Sequence, residues 1–339
     1  MNICILSSDL FVPHSAALIV SIMENKAQAD DIVFHYFCEN VSDESKATLL
    51  TMRKQWDFDV HFYDMTVAYF DGYRQYDYSN FSLSKYDGSY MGYYKTIIPR
   101  LLPQEIDKVL FLDSDMIVQT SLAPLYETDI EGKYAAVVAE RKTRSVLTHG
   151  ESYFNAGMIL MNLKKYREDH IEDQIKELAT TRLQEMTFLE QDMLNEVFQG
   201  NVVYVPPIWN SFIGNAVYYK IFVTEHQLGS CYPAEWLKQS AANPSITHFI
   251  MEKPWHFGYF CKNRNVYWKY ARKTPFYQQV LREYYNSISL SRFLKSLKAR
   301  WKHKRFVQCR TGRNGYFRLF GKTIFDCSKK IHDETPCLP

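Results

Sequence analysis

The sequence predicts an α/β fold built on a parallel sheet with crossover helices, and two observations carry that prediction. Within the first 63 residues, five segments alternate as strand, helix, strand, helix, strand. Further on, the strongly apolar Val109–Leu112 runs directly into Asp113, the pattern of a buried strand whose end opens onto polar surroundings. A length of 339 residues suits one large α/β domain, or one domain with an appendage.

The elements follow in order. Asn2–Ser7 reads as a buried strand closed by Asp9, and Pro13–Lys26 as a helix with proline near its start. Asp31–Phe37 is the next strand. Ser42 can cap a helix whose first turn holds Asp43 and Glu44, where acids favour the helix dipole; it is expected to run to about Trp56, before a strand at Val60–Tyr63. Asp71–Gly92 breaks the alternation with a stretch rich in Tyr, Ser, Asp and Gly, which reads as a lid over a ligand. Tyr93–Leu102 forms a helix around Pro99. Tyr134–Ala139, Met158–Asn162 and Asn201–Val205 are strands, the last ended by Pro206-Pro207. Ile171–Thr180 and Leu189–Phe198 are helices, and the chain reads as helical from Val266 onwards. The expected division is a catalytic domain over residues 1–260 and a mainly helical, basic extension over residues 261–339.

Apolar residues make up 46% of the chain, enough for a sizeable core, and 25 Tyr with 22 Phe leave aromatic surface for stacking on flat apolar faces. The seven cysteines are scattered and never spaced as CxxC. That argues against a zinc site or a disulfide framework and for a reducing compartment. The N-terminus has no basic region and its apolar run is too short for a signal peptide; no stretch reaches transmembrane length. A cytoplasmic protein, peripheral to the inner face of a membrane, is expected. Ser291–Pro339 carries 13 Lys and Arg against 3 Asp and Glu, so +10, while the rest carries 27 against 35, so −8. A net charge of +2 therefore joins an acidic body to a basic tail. An acidic body argues against nucleic acid as the partner.

Four motifs carry chemistry. In Phe111-Leu112-Asp113-Ser114-Asp115-Met116-Ile117, two carboxylates stand two residues apart at a strand end, so both can face one hard cation whose shell a diphosphate completes. Alone, such a pair reads more often as a polar turn after a strand than as a metal site. In Thr247-His248-Phe249-Ile250-Met251-Glu252-Lys253-Pro254-Trp255, the histidine is a candidate third ligand and the lysine a point charge for a diphosphate. Tyr153-Phe154-Asn155-Ala156-Gly157 places small residues before an apolar strand, where a ligand can approach the backbone. Leu189-Glu190-Gln191-Asp192 opens a helix with polar side chains that either cap it or grip sugar hydroxyls.

Taken in order, SSDLF, YYKTIIPRLLP, VLFLDSDMIV, YFNAGMILMNLKKY, EQDMLN and THF…KPW resemble the retaining glycosyltransferase family 8, which includes bacterial lipopolysaccharide galactosyl- and glucosyltransferases and glycogenin. The resemblance covers Met1 to about Tyr259. It implies a GT-A fold (a Rossmann-like mixed sheet flanked by helices), a Mn²⁺ cofactor with Mg²⁺ as the alternative, and a UDP-hexose donor, galactose favoured over glucose. By position, Asp113, Asp115 and His248 correspond to the metal ligands and Lys253 to the phosphate-binding lysine. Asn155, Ala156, Gly157 and Gln191 correspond to residues beside the donor sugar. Glu190 stands where the family usually has Asp, and Lys95 where many members have Arg. Ser7, Asp9 and Phe11 fall where the first strand meets the donor, with Phe11 placed to stack on uracil; Ser114 lies between the two metal carboxylates, and Glu140 aligns with an acid near the centre. The sequence departs from the family at Ser8 and Leu10. Its His248-to-Lys253 segment is also one residue shorter than in many members and lacks their glycine, which touches the shape of the phosphate lid.

The implied chemistry retains anomeric configuration. Gln191 is a poor nucleophile, so the reading favours attack from the leaving-group face, with the departing UDP taking the acceptor proton. Glu190 is the alternative nucleophile. The implied acceptor is a glycan or glycolipid of bacterial surface-polysaccharide, lipopolysaccharide or glycoprotein synthesis. Three other classes are weighed. A nucleotidyltransferase would carry a glycine-rich phosphate loop, and Leu6–Pro13 has no glycine. A glycan-binding module explains the tyrosines but not DSD with HF…KPW, and a phosphoesterase would need a denser acid and histidine cluster. In the tail, Phe293, Leu294, Leu297 and Trp301 form an apolar stripe among Lys295, Lys298, Arg300, Lys302, Lys304 and Arg305, the pattern of a helix lying on an anionic membrane. Tyr316–Lys322 resembles a tail motif of bacterial surface-glycan transferases.

Overall fold

Strand β1 (Asn2–Ser8) lies inside the sheet, with both its faces apolar: Ile3, Cys4 and Ile5 are fully buried. In the computed structural model the described residues are 1–73, 90, 93–142, 152–186, 188–213, 223, 228–250, 253–257, 263–290 and 293–294, with strands at 307–310, 316–319 and 322–326. β1 pairs in parallel with β2 (Val33–Glu39) on one side and β4 (Lys108–Asp113) on the other, and β2 pairs in parallel with β3 (Asp59–Asp64). Beyond β4 come β7 (Ser152–Asn162), antiparallel to it, then β6 (Ala135–Lys142), antiparallel to β7, and β8 (Val202–Tyr204), parallel to β6. The order β3-β2-β1-β4-β7-β6-β8 makes a seven-stranded mixed sheet flanked by helices, as the resemblance implied. A second, two-stranded ribbon pairs β5 (Met116–Val118) with β9 (Ile246–His248).

The twofold alternation of the strands divides the core between the two faces. Ile3, Ile5, Leu110 and Leu112 face α1 (Val12–Asn25), α9 (Arg264–Ala271) and α10 (Tyr277–Asn286). Cys4, Val109 and Phe111 face α3 (Tyr94–Leu101), α5 (Leu163–Glu168), α6 (Ile171–Thr181) and α7 (Glu190–Phe198). The parity continues past the apolar run, so Asp113 leans towards the α3 and α7 side. Ser42 caps α2 (Asp43–Leu50) as expected, accepting from Ser45 N–H at 3.2 Å, but the α-helix stops at Leu50 and a 3₁₀ turn carries the chain to Lys54. α3 contains Pro99, and its end is gathered by one side chain. The Arg167 guanidinium donates to the carbonyls of Pro99 (2.7 Å), Leu102 (3.1 Å), Pro103 (3.0 Å), Gln104 (3.2 Å) and Ile106 (3.1 Å). These bonds fix the turn from α3 into β4 and hence the relative placement of Lys95 and Asp113. α4 (Ala123–Tyr126) and α8 (Ala234–Ala242) complete the described helices.

Three expectations change. β7 begins at Ser152, so Asn155-Ala156-Gly157 lies within the strand rather than before it; β6 is long enough to pair with it across two register shifts, at Val137/Val138 and Ala139/Arg141. Tyr267, Trp268, Tyr270, Ala271, Phe276 and Val280, placed by the sequence in the extension, belong to the same apolar core as α1. The reading of the tail as helical from Val266 holds through α9 and α10 and again at Leu290, Phe293 and Leu294, and it fails at three strands. Beyond them β10 (Val307–Arg310), β11 (Tyr316–Leu319) and β12 (Lys322–Asp326) form an antiparallel sheet. The physical signals are alternation in YFRL and β-branched or aromatic residues in KTIF, around Asn314-Gly315 and Gly321. The stretch expected to be a lid lies outside the described residues except for 71–73 and 90, as do Leu297 and Trp301 of the apolar tail stripe.

Candidate functional site

The site forms at the carboxyl ends of the parallel strands, where open α/β sheets bind ligands. β4 ends at Asp113, and the tight turn into β5 brings Asp115 to the same place. Ser114 between them turns the other way, its hydroxyl donating to Leu6 O at 2.5 Å. Pairing of β5 with β9 sets Met116 opposite His248 and delivers the imidazole to the carboxylates. His248 Nε2 lies 3.2 Å from Asp115 Oδ1 and 3.8 Å from Asp113 Oδ2, and one ligand atom from each of the three residues falls within 4.8 Å of the others. Neighbouring ligands of an octahedral ion bonded at about 2.1 Å stand ~3 Å apart, so the spacing fits a Mg²⁺- or Mn²⁺-sized ion.

The chemistry of the donor set fits as well. His248 Nδ1 donates to Asn210 Oδ1 at 2.9 Å, leaving the Nε2 lone pair facing the carboxylates. The Asn210 amide is oriented in turn, because its Nδ2 donates to Asn155 Oδ1 at 2.9 Å. Gly157 shows that space is kept clear: a Cβ there would stand 2.4 Å from His248 Cε1, 2.8 Å from Asp113 Oδ2 and 2.9 Å from Asn155 Oδ1. Only a residue without a side chain leaves this cradle open.

Two lysines flank the cradle. Lys95, buried on α3, lies 3.0 Å from Asp113 Oδ1 and 3.4 Å from Glu190 Oε1, and donates to Ala156 O at 3.2 Å. Burial pushes its pKa down, but the charges of Asp113 and Glu190 outweigh that and hold the ammonium above its usual range. For Glu190, burial and the nearby Asp113 charge push the carboxyl upward, against the pull of Lys95. On the other side Lys253 is paired with Asp115 and donates to Phe249 O at 2.8 Å. Burial opposes ionisation of Asp115, yet Lys253 and His248 hold its carboxyl well below the usual carboxylate range.

A second network fixes Gln191. Its Oε1 accepts from Ala156 N–H at 2.9 Å, and its Nε2 donates to Tyr153 OH at 3.1 Å and Glu140 Oε2 at 3.3 Å. Glu140 also accepts from Asn155 Nδ2 at 2.8 Å. Asp192 anchors the turn before α7, accepting from Phe188 N–H at 2.7 Å and from Tyr153 OH. The turn is strained: Leu189 has φ of 52° and ψ of −116°, a conformation that costs a non-glycine residue of order 1–3 kcal/mol. Such strain immediately before Glu190 and Gln191 marks where backbone comfort yields to side-chain placement.

The structure thus gathers Lys95, Asp113, Asp115, Glu140, Asn155, Ala156, Gly157, Glu190, Gln191, His248 and Lys253 into one connected set. It does not gather Ser7 and Asp9 into it. Ser7 donates to Ser8 O at 3.0 Å, while Asp9 Oδ1 accepts from Ser42 N–H and Oγ–H, both at 3.0 Å, tying β1 to the start of α2. Phe11 packs edge-on against Trp255, ring centroids 6.2 Å apart. Sequence reasoning missed Asn210 and the bracing role of Tyr153. Asn210 follows Pro206-Pro207-Ile208-Trp209 with no spacing signal, and only the pairing of β5 with β9 reveals it.

The sequence profile of glycosyl transferase family 8 matches residues 2–258. The chain is similar to the glycosyltransferases GlyF and GlyE of Streptococcus pneumoniae. It is 30% identical to GlyF over 183 residues, covering 54% of this chain and 42% of GlyF, and 30% identical to GlyE over 184 residues, covering 54% and 41%. The chain therefore spans less than half the length of these two relatives. Among solved structures it is similar to the galactosyltransferase LgtC in complex with donor and acceptor sugar analogues, with a TM-score of 0.65 and 22% identity, covering 81% of this chain and 96% of that one. That likeness shows the fold to be of the GT-A type.

Proposed function

The chain belongs to glycosyl transferase family 8, and from that premise we propose that it transfers a hexose from a UDP-sugar to a glycan or glycolipid acceptor with retention of configuration. The observation that carries this reading is the cradle of Asp113, Asp115 and His248 kept open by Gly157 and flanked by Lys95 and Lys253. The first three residues would hold Mn²⁺, or Mg²⁺ in its place. When bound, the ion supplies positive charge against the donor diphosphate as negative charge grows on the leaving UDP. Lys253, an ammonium on a flexible stem paired here with Asp115, would meet a phosphate oxygen of the donor as a point charge. Asn155 and Glu190 are placed to bind sugar hydroxyls. Gln191, held at both ends of its amide, is a rigid support and a poor nucleophile, which favours attack from the leaving-group face with UDP receiving the acceptor proton. Glu190 is the carboxylate available for a double displacement.

Galactose is the donor sugar favoured by the sequence resemblance, with glucose the alternative, and bacterial surface glycan or lipopolysaccharide the acceptor class. We assign residues 1–260 to catalysis, with α9 and α10 packed into the same apolar core. The basic tail is assigned to peripheral contact with an anionic membrane on the cytoplasmic side. Exposed Ile288, Leu290, Phe293 and Leu294 lead into its basic run, and among the described residues no helix is long and apolar enough to cross a membrane. Incubating the full chain with a panel of UDP-hexoses, Mn²⁺ and oligosaccharide acceptors tests the reading: transfer should release UDP and extend the acceptor. Release of UMP, or none at all, would overturn it.

A further inference from the structure

Lys253 begins a run of five residues, and the C-terminal helices hold the other four. Trp268 Nε1 of α9 donates to Pro254 O at 3.2 Å. The Trp255 ring stacks on His14 with centroids 3.6 Å apart and lies 5.0 Å from Tyr267. His256 Nε2 meets Glu283 Oε1 of α10 at 3.2 Å, and Phe257 N–H donates to Ser287 Oγ at 2.7 Å. A turn couples this anchorage to the lysine, because His256 N–H donates to Lys253 O at 3.0 Å.

Glu283 is the pivot. Its second oxygen, Oε2, lies 3.1 Å from His14 Nε2, and His14 Nδ1 lies 2.6 Å from Tyr267 OH. Burial holds the His14 pKa down and that of the Tyr267 phenol up, which favours the neutral form of each. The consistent assignment has Tyr267 donating to Nδ1 and Nε2–H donating to the carboxylate, which accepts only. One carboxylate thus joins α1, α10 and the segment that carries Lys253.

We propose that Glu283 is a positioning residue for Lys253: shared between His14 and His256, its carboxylate sets where residues 253–257 lie and so where the Lys253 ammonium meets the donor diphosphate. The inference rests on the nucleotide-sugar reading of the site. It assigns to the helices beyond the family match a part in donor binding.

Calorimetric titration of UDP with Mn²⁺ into the full chain tests it without requiring turnover. Glu283→Ala should weaken binding about tenfold, as displacing a charge-assisted contact does. Glu283→Gln, which keeps an oxygen for one histidine, should weaken it less. In a Lys253→Met background, Glu283→Ala should cost nothing further, because its effect acts through the lysine. His256→Ala gives a second arm should Glu283→Ala fail to fold, since the His256 side chain is 37% exposed and its loss leaves the His14–Glu283 pair intact. It should also weaken UDP binding, and again only when Lys253 is present. Undiminished affinity in both variants, or losses that multiply with Lys253→Met, would overturn the proposal while leaving the donor reading standing. A wild-type chain that binds no UDP would overturn both.

Discussion

Replacing Gly157 by alanine adds one methyl group at the point where the site has no room for it. The added carbon would sit 2.4 Å from His248 Cε1 and 2.8 Å from Asp113 Oδ2. Ordinary carbon contacts begin near 3.4 Å, so the imidazole must retreat by roughly 1 Å, and the Asp113 carboxylate by about half as much. His248 is fully packed and tied to Asn210, so that retreat breaks a hydrogen bond or tilts the ring. Overpacking of this kind costs ~1–3 kcal/mol of stability, which the fold should survive. At the metal, displacement by about 1 Å removes a ligand from useful geometry, and a catalytic loss on the order of 10²-fold follows. The backbone is not the cause, since Gly157 lies in β7 without the positive φ that favours glycine. The assay is Mn²⁺-dependent UDP release over a range of Mn²⁺ concentrations, with circular dichroism to confirm folding. A Gly157→Ala protein that transfers within twofold of wild type, at unchanged Mn²⁺ requirement, would falsify the cradle.

Further predictions follow from the same contacts. Asn210→Leu removes the partner of His248 Nδ1 and should raise the Mn²⁺ concentration for half-activation about 10–100-fold; an unchanged value would refute the tautomer argument. Arg167→Met abandons five carbonyls at the end of α3 and should cost at least ~3 kcal/mol in urea denaturation, whereas a loss under 1 kcal/mol would show solvent serving them equally well. For Glu283, burial pushes the carboxyl upward but hydrogen bonds from His14 and His256 pull it from 4.5 down to about 2. Its folded pKa is depressed, so its contribution to stability is complete above pH 4.5 and fades as the pH falls towards 2. The difference in melting temperature between wild type and Glu283→Gln should therefore shrink through that window, and a constant difference would contradict the assignment. A chain ending at Ile288 should lose flotation with anionic vesicles that the full chain shows at low salt; equal behaviour would remove the membrane role from the tail.

The first half of the sheet was readable because its signals are local. Asn2–Ser8, Val33–Glu39 and Lys108–Asp113 are apolar runs bounded by polar turns, and Ser42 announces α2 within four residues. The two carboxylates were readable too, since Asp113 and Asp115 need only a strand end to converge. What sequence spacing cannot carry is the long-range pairing. Asp115 and His248 are brought to 3.2 Å by the register of β5 on β9, and Asn210 reaches His248 through a segment with no periodic pattern. Small residues weaken an apolar run, so the sequence signal for β7 begins only at Met158. Pairing with β6 overrides that weakness and extends the strand back to Ser152. In the tail, basic charge obscured the twofold alternation of Tyr316–Leu319, which a helical period does not fit.

The most direct test compares UDP release by wild type, Asp113→Asn and Asp115→Asn, each with a UDP-hexose and acceptor, in Mn²⁺ and after chelation by EDTA. Each substitution keeps the volume of the side chain and removes the charge that faces His248 and the flanking lysines. The account predicts transfer by wild type in Mn²⁺, loss of at least 10²-fold in either variant, and loss to the same floor in EDTA, with all three chains folded. Undiminished transfer by both variants, or by wild type in EDTA, would contradict the claim that these carboxylates hold the metal on which donor activation depends.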